Sequence, residues 1–238
     1  LKQAWNDEFI DIQGEVYNLH LPTAPVKPDQ RKGVPMLYFG GYSPEGIALC
    51  AEHCDVYLMW PEKRGKLKMQ METVSAKAAT YHRTLDFELR LNVIVRKTEE
   101  EARQYADQLI SKIDVEKGSG IRDRAQDAKS LGVYKQSEMR ASAGSDLFVE
   151  PHLWTGIGLA IRLRCRFSRK SQQILDKIED YMSMGNRPFI FYGYPHHQEE
   201  QYFGKWTLPQ LKTISLPEIY ERIPKTLPDT PSLNGPRF

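Results

Sequence analysis

The chain has few cysteines, little net charge and no long hydrophobic segment, and each of these excludes a class of protein. Three cysteines among 238 residues form neither a disulfide framework nor a pair-and-pair zinc motif. A net charge of +2 is too small to indicate binding to nucleic acid or to a membrane surface. No apolar run approaches the roughly 20 residues that span a bilayer, and the first residues carry no signal-peptide pattern. We therefore expect a cytoplasmic globular protein with inert thiols and no metal site.

Short apolar segments alternate with helical patterns along most of the chain. The predicted strands are residues 36–39, 55–60, 87–96 and 188–192, and the predicted helices are residues 43–53, 62–80, 98–113, 171–184 and 199–212. Repeated βα units predict a parallel sheet, either doubly wound or closed as a barrel. Before these units, residues 9–21 alternate around Gln13-Gly14 and predict a β-hairpin.

The third predicted strand distinguishes between the two parallel architectures. Its residues from Phe87 to Val95 place apolar side chains on one face, whereas Glu88, Arg90 and Asn92 lie on the other. In a doubly wound sheet both faces meet helices, and burying these polar groups would be costly. A barrel interior accommodates them, and four βα units correspond to half of a (βα)₈ barrel.

A glycine turn follows the first predicted strand and leads into a helix. Gly40 and Gly41 allow close approach to the backbone, Ser43 is a natural N-cap, and Pro44 suits the first helical position. Unpaired N–H groups and the helix dipole make such a turn a binding site for anions. The turn therefore predicts either a phosphate site for a nucleotide or flavin, or an ordinary βα connection.

Four stretches together resemble the C-terminal half of the flavin-dependent alkanesulfonate monooxygenases, within the bacterial-luciferase-like superfamily. They are PMLYFGGYSPEGIALCAEHCDVYLMW, TLDFELRLNVIVRKTEEEARQYADQLIS, EPHLWTGIGLA and FIFYGYPHHQEEQYFG. The resemblance implies a (βα)₈ TIM barrel whose first four strands are missing here, together with the family's N-terminal active-site groups. It also implies cleavage of an alkanesulfonate to aldehyde and sulfite by reduced FMN and O₂, for sulfur acquisition. An NAD(P)H-dependent FMN reductase would supply the reduced flavin, and the enzyme would be a homo-oligomer.

The resemblance also implies a set of flavin-binding residues. Gly41, Tyr42 and Ser43 match the family's phosphate turn, where Tyr42 replaces a serine. Asn92 replaces a histidine of the family, and it can donate a hydrogen bond but cannot gain a proton near neutral pH. His196 matches the histidine of the family's Gly-Tyr-Pro-His motif, and its alternative role is that of a solvated loop residue.

Three further residues are implied as catalytic. Arg90 matches an arginine that would meet the sulfonate or an anionic flavin-bound oxygen, and its alternative role is an ion pair with Glu88. Tyr194 would donate to flavin or substrate oxygens. The third is Arg162, which lies in the basic segment IRLRCRFSRK at residues 161–170.

This basic segment is either a localisation or nucleic-acid motif, or an altered form of a glycine-rich loop of the family. One coding of the segment, shifted by a single base, reads Phe-Gly-Cys-Gly-Ala-Ala-Leu-Val-Gly, which is close to the family loop. We interpret the segment as two compensating reading-frame slips, with Arg162 as the displaced functional arginine.

The predicted domain organisation follows from the resemblance and from the proline pattern. Residues 1–215 would form the C-terminal part of the barrel, with residues 114–150 as a mobile lid over the site, and residues 216–238 an extended Pro-rich arm. Three interpretations remain open: part of an active enzyme, an inactive flavin-binding remnant, or a monooxygenase for methanesulfonate or dimethyl sulfone.

Overall fold

The computed structural model describes residues 1–24, 34–114, 116–118, 120, 130–156, 166–169 and 171–222. The chain divides into two compact units. The first comprises Leu1–Met36 and Thr213–Phe238, and the second comprises Leu37–Lys212. No helix in the described ranges is both long and apolar enough to cross a membrane.

The first unit begins with a short helix and a β-hairpin. Helix α1 (Lys2–Asn6) precedes strands β1 (Phe9–Gln13) and β2 (Asn18–Pro22), which pair antiparallel. The turn is closed by a bond of 2.9 Å from the Gly14 N–H to the Tyr17 carbonyl. The predicted hairpin is therefore confirmed.

The second unit is built on one mixed sheet. Its strands are β3 (Tyr38–Phe39), β4 (Val56–Met59), β5 (Asp86–Val95), β6 (Phe148–Glu150), β7 (Leu153–Trp154), β8 (Arg166–Arg169) and β9 (Asn186–Tyr192). Strands β3, β4 and β5 are parallel neighbours, and β5 also pairs in parallel with β8 and β9. Strands β6 and β7 extend the sheet in antiparallel sense. The predicted α/β fold with a parallel sheet is confirmed.

Within the described ranges, six helices of ten or more residues belong to the same unit. They are α2 (Pro44–His53), α3 (Arg64–Ala79), α4 (Glu99–Ile110), α5 (Leu131–Ala141), α6 (Ser171–Ser183) and α7 (His196–Trp206). Helix α2 begins as predicted, because the Ser43 Oγ accepts a bond of 3.1 Å from the Gly46 N–H and Pro44 occupies the first turn. Helix α3 buries the predicted apolar face: Leu67, Met71, Val74 and Ala78.

Thr98 and Glu101, three residues apart, predict a capping box at the start of α4, and the structure shows half of it. The Thr98 Oγ accepts from the Glu101 N–H at 3.1 Å, as expected. The Glu101 carboxylate, however, accepts from the Lys97 N–H at 3.1 Å, one residue before the N-cap. The side chain of Glu101 is long enough to reach either donor, so sequence alone does not distinguish them.

The sequence predicts that Gly185 stops α6, and α6 ends at Ser183, two residues before Gly185, whose φ of 107° belongs to the left-handed region. Helical spacing also predicts an apolar stripe on α6, and its residues Ile174, Leu175, Ile178 and Tyr181 are buried. The prediction is wrong for Met182, which is 51% exposed at the C-terminal edge of the stripe.

Strand β9 begins two residues earlier than predicted. The partners Phe87–Asn186 and Leu89–Phe189 leave one extra residue on β9, so Pro188 lies in an irregularity of the ladder and not at the start of the strand. A bulge tolerates the missing proline N–H because the extra residue is not paired in the ladder, as is also the case at the end of a strand.

Helix α7 also differs from its predicted bounds of 199–212. It begins at His196, directly after Pro195, and ends at Trp206. A short 3₁₀-helix over Leu208–Gln210 follows. Pro209 disfavours α-helical geometry in the preceding residue and lacks a donor, so the α-helix does not continue through it.

Helix α8 (Leu216–Ile219) lies in the segment that was expected to be extended. The Glu218 carboxylate accepts from the Ser215 N–H at 3.2 Å and holds its first turn. Residues 223–238 of the predicted arm lie outside the described residues.

The larger core cluster lies on one face of the sheet, and a smaller cluster forms around Ile94, Ala102 and Trp154. Leu89, Leu91 and Val93 of β5 are buried in a cluster with Met71 of α3 and Phe203 of α7. The next residues in each strand point to the opposite face, since side chains alternate along a strand. That second face carries the candidate site.

Candidate functional site

A cavity of about 770 Å³ opens on the second face of the sheet. It brings together Gly41, Tyr42, Ser43 and Arg90, which the sequence predicted as site residues. The remaining lining residues are Gly40, Leu58, Met59, Trp60, Glu88, Ser130, Leu131, Gly132 and Ile190. The glycine turn and the polar face of β5 therefore form one site.

The glycine turn is held by a tyrosine beneath it. The Tyr57 hydroxyl donates a bond of 2.5 Å to the Gly41 carbonyl and is itself bonded to the Gln70 amide at 3.2 Å. Ser43 accepts from Gly46, and that bond does not use the proton of the Ser43 hydroxyl. The turn thus presents a hydroxyl donor and a helix N-terminus to the cavity, which together suit a phosphate.

Tyr42, which replaces a serine of the family, forms part of the cavity wall. Its phenolic oxygen accepts from the backbone N–H of Trp60 at 3.2 Å, and the two rings meet edge to face with their centres 6.1 Å apart. The Lys135 ammonium lies 4.4 Å from the centre of the Tyr42 ring. Tyr42 is therefore positioned by its neighbours in the fold.

The described end of the predicted lid also lines the cavity. Ser130 is the N-cap of α5 and accepts from the Val133 N–H at 3.3 Å. A Cβ at Gly132 would come within 3.3 Å of the Tyr42 ring and 3.4 Å of the Trp60 ring, so glycine lets α5 pack closely here. Movement of residues 114–150 as a lid remains a prediction.

Arg90 and Glu88 lie two residues apart on β5 and do not form the ion pair considered as an alternative for Arg90. The Arg90 guanidinium lies 5.0 Å from the centre of the Tyr192 ring. Glu88 is only 3% exposed, and its Oε1 has no hydrogen-bond partner. Burial raises the pKa of Glu88 to about 7, although the positive charge of Arg90 acts in the opposite direction.

The other predicted site residues do not line this cavity. Asn92 is fully buried in β5, opposite Tyr192. The Tyr194 ring lies 6.2 Å from the Tyr192 ring and 4.6 Å from the ring of His196, which is exposed at the start of α7. The Tyr105 hydroxyl donates to the Tyr194 carbonyl at 3.0 Å. Contacts through Tyr192 thus connect Arg90 with Tyr194, and a functional role for Asn92, Tyr194 or His196 remains a prediction.

Arg162 and most of the basic segment lie outside the described residues. The structure describes the backbone of β8, Arg166–Arg169, which pairs in parallel with Asn92–Val95 of β5. The interpretation of this segment as a double frame slip remains a prediction.

Trp60 and Glu88 are two of the lining residues that were not identified as site residues from sequence. Trp60 directly follows the carboxyl end of β4, which is where parallel α/β folds place their sites, and this position was a usable signal. Glu88 appeared only as a partner for Arg90. Its burial without a partner depends on tertiary packing.

Comparison with known proteins places the chain in a family. The model of the luciferase-like monooxygenases matches residues 1–187. A sulfoquinovose monooxygenase from Agrobacterium fabrum is 49% identical over 240 residues, covering 100% of this chain and 62% of that protein. A second sulfoquinovose monooxygenase, from Novosphingobium aromaticivorans, is 44% identical over 208 residues, covering 87% of this chain and 57% of that protein. The chain therefore spans about three fifths of the length of these relatives.

A solved structure shows the same fold at low sequence identity. A long-chain alkane monooxygenase superimposes with a TM-score of 0.62 and 17% identity, covering 86% of this chain and 46% of that chain. The predicted superfamily is confirmed, whereas both curated relatives are named for sulfoquinovose and not for an alkanesulfonate. The chain belongs to the luciferase-like monooxygenase family.

Proposed function

We propose that the chain is part of a flavin-dependent monooxygenase that uses FMNH₂ and O₂ to cleave the carbon–sulfur bond of an organosulfonate. The products are sulfite, an aldehyde, oxidised FMN and water. The relatives at 49% and 44% identity support sulfoquinovose, a hexose with a sulfonate on carbon 6, as the substrate. Sulfoquinovose thus takes precedence over the unbranched alkanesulfonates that the sequence motifs suggested.

The observation that carries this proposal is the presence of two anion-binding elements in one cavity. Gly41 and Ser43 form the turn before α2, and Arg90 lies on β5, and all three line the same space. The cofactor has a phosphate and the substrate has a sulfonate, so each anion has a counterpart. A site for a neutral substrate would need only one of these elements.

Within this proposal, the turn before α2 would bind the cofactor, and Arg90 would bind and orient the substrate. The N–H groups at the start of α2 and the Ser43 hydroxyl would hold the FMN phosphate. The Arg90 guanidinium would hold the sulfonate and orient the adjacent carbon, with Tyr192 supporting its position. Bound reduced FMN would supply the electrons with which O₂ is activated.

The open face of the sheet supports a barrel as the complete architecture. One face of β5 is covered by helices, whereas Arg90 and Ile190 are exposed on the other, as expected of residues that face a barrel interior. We accordingly propose that residues 1–215 form the C-terminal part of a (βα)₈ barrel and that residues 216–238 are an arm. A separate FMN reductase, assembly as a homo-oligomer and a cytoplasmic location belong to the same proposal.

Anaerobic titration of the 238-residue chain with FMNH₂, followed by a sulfite-release assay, tests this function. We expect micromolar FMNH₂ binding that Ser43→Ala weakens, and sulfite release from sulfoquinovose that Arg90→Lys lowers. Glu52→Gln, on the outer surface of α2, is the matched control and should change neither value. Flavin binding without sulfite release from any sulfonate would identify an inactive remnant. A folded chain that does not bind FMNH₂ would overturn the proposal.

A further inference from the structure

We propose that Glu88 makes the site selective for polyhydroxylated sulfonates, because its carboxyl group forms a hydrogen bond with a substrate hydroxyl while Arg90 holds the sulfonate. This inference rests on the proposed function and adds the residue that distinguishes a sugar sulfonate from a plain alkanesulfonate.

The first argument compares Glu88 with the other buried carboxyl groups of the described residues. These are Asp55, Asp86 and Glu199, each less than 9% exposed. Asp55 accepts from the Leu37 N–H at 2.9 Å and faces Arg83 at 3.7 Å. Glu199 accepts from Arg96 at 2.7 Å. Glu88 alone among these four has a fully buried oxygen without a hydrogen-bond partner.

The second argument is that neither Arg90 nor Arg187, the arginine of the neighbouring strand β9, forms an ion pair with Glu88. Arg187, at the start of β9, donates from its Nε to the Asp86 carboxylate at 2.6 Å. Arg90 extends over the Tyr192 ring. Leaving a buried polar group unsatisfied is unfavourable, and such groups recur at functional sites. A ligand hydroxyl would satisfy the Glu88 oxygen.

The third argument concerns what lies around Glu88 in the sheet. Leu58 is its direct neighbour on β4, and Ile190 is the neighbour of Arg90 on β9. Both lining side chains are apolar and donate no hydrogen bond. On β3, the Tyr38 hydroxyl lies near enough to Glu88 for the two groups to interact electrostatically, but it does not bond to the Glu88 Oε1. A ligand hydroxyl that enters the cavity would supply the missing donor.

The spacing of Glu88 and Arg90 along β5 suits a sugar sulfonate. Residues two apart on a strand point to the same face and lie about 7 Å apart along it. A sulfonate at Arg90 would thus place the remainder of a short, hydroxylated substrate near Glu88. The raised pKa of Glu88 allows the carboxyl group to stay neutral beside a sulfonate, so the two groups need not repel each other.

The test compares two substrates in three forms of the chain. Wild type, Glu88→Leu and the surface control Glu52→Gln are assayed with sulfoquinovose and with hexanesulfonate, which has no hydroxyls. We expect Glu88→Leu to lower kcat/KM for sulfoquinovose by about tenfold or more, mainly through KM, because a substrate hydroxyl loses its buried partner. The value for hexanesulfonate should change by less than about threefold, and calorimetric titration of each sulfonate should show the same contrast in Kd.

If Glu88→Leu lowered kcat/KM for both substrates to the same extent, the inference would be overturned, because that result would indicate a structural role for Glu88. Glu88→Gln is a second variant that keeps the test decisive if the leucine variant misfolds. Its side chain retains hydrogen-bonding capacity, so it should restore most of the preference for sulfoquinovose. Glu88→Gln should also abolish the change of KM for sulfoquinovose near pH 7, which a purely structural residue would not produce. Failure of the proposed function has a different outcome, namely that wild type releases sulfite from neither sulfonate.

Discussion

The two faces of the central sheet differ sharply in what covers them. On one face, Leu89, Leu91 and Val93 of β5 are at most 1% exposed beneath the helices. On the other, Asn92 and Ile94 are fully buried near the end of β5, whereas Tyr38 is 39% and Ile190 is 43% exposed and Arg90 is also exposed. The first face contributes the larger buried core, and the second carries Glu88 and Arg90, which line the cavity. A single strand, β5, contributes to both because its side chains alternate.

The largest effect is expected on the helix-covered face. Leu91→Ala should lower the free energy of unfolding by about 2–5 kcal/mol, because it removes buried methyl groups and leaves a cavity. Urea denaturation followed by circular dichroism measures this change. Leu91→Met is the matched control and should cost less than about 1.5 kcal/mol. A cost below about 1 kcal/mol for the alanine variant would contradict the assignment of the core to this face.

The second effect depends on pH and belongs to the open face. Burial raises the pKa of Glu88 from 4.5 to about 7, so the folded chain keeps a proton that the unfolded chain releases between these values. The free energy of unfolding should therefore fall as pH rises from about 4.5 through about 7, by about 3 kcal/mol in total from this group.

Glu88→Gln should remove this contribution. Denaturation of wild type and of the variant at pH 5 and pH 8 gives the comparison, with Glu52→Gln as the exposed control that keeps the wild-type slope. Identical pH dependence in wild type and Glu88→Gln would show that Glu88 is solvated and ionised like a surface carboxylate.

A smaller effect is expected at the turn where the open face begins. Ser43→Ala removes the N-cap of α2 and should cost about 1 kcal/mol of stability, together with weaker FMNH₂ binding. Thr98→Ala removes the equivalent cap of α4 and should cost a similar amount without changing flavin binding. If Ser43→Ala and Thr98→Ala weakened flavin binding equally, the result would contradict a direct role of the Ser43 turn in binding the flavin phosphate.

The smallest effect is expected at Ile190. Ile190→Ala should change the free energy of unfolding by less than about 0.5 kcal/mol, because the side chain is largely exposed. The urea experiment used for Leu91→Ala measures it directly. A loss as large as that of Leu91→Ala would mean that another polypeptide surface covers the open face in solution.

Local patterns predicted the elements well where the signal was contained in a few neighbouring residues. The buried face of α3, including Leu67 and Met71, follows from helical spacing, and the start of α2 follows from Ser43 and Pro44. The bulge at Pro188 was not predictable, because it depends on how β9 pairs with β5 about a hundred residues earlier. Met182 was mispredicted because spacing does not show where a neighbouring element ends.

The candidate site was predicted in part. Gly41, Ser43 and Arg90 were assigned from the resemblance, and the structure places them around one cavity. Glu88 was not assigned, because an acidic residue two positions from an arginine on a strand predicts an ion pair. Only the fold shows that the Arg90 guanidinium contacts the Tyr192 ring and that Arg187 pairs with Asp86.

The sequence by itself determined the order of strands and helices, the alternating faces of β5 and the glycine turn before α2, since these depend on spacing and on the conformational preferences of adjacent residues. Tertiary structure alone decided which buried carboxyl groups have a cation. Asp86 binds Arg187 and Glu199 binds Arg96, each across about a hundred residues, whereas Glu88 faces the cavity. Such partners are brought together by sheet pairing and helix packing, which no local pattern records.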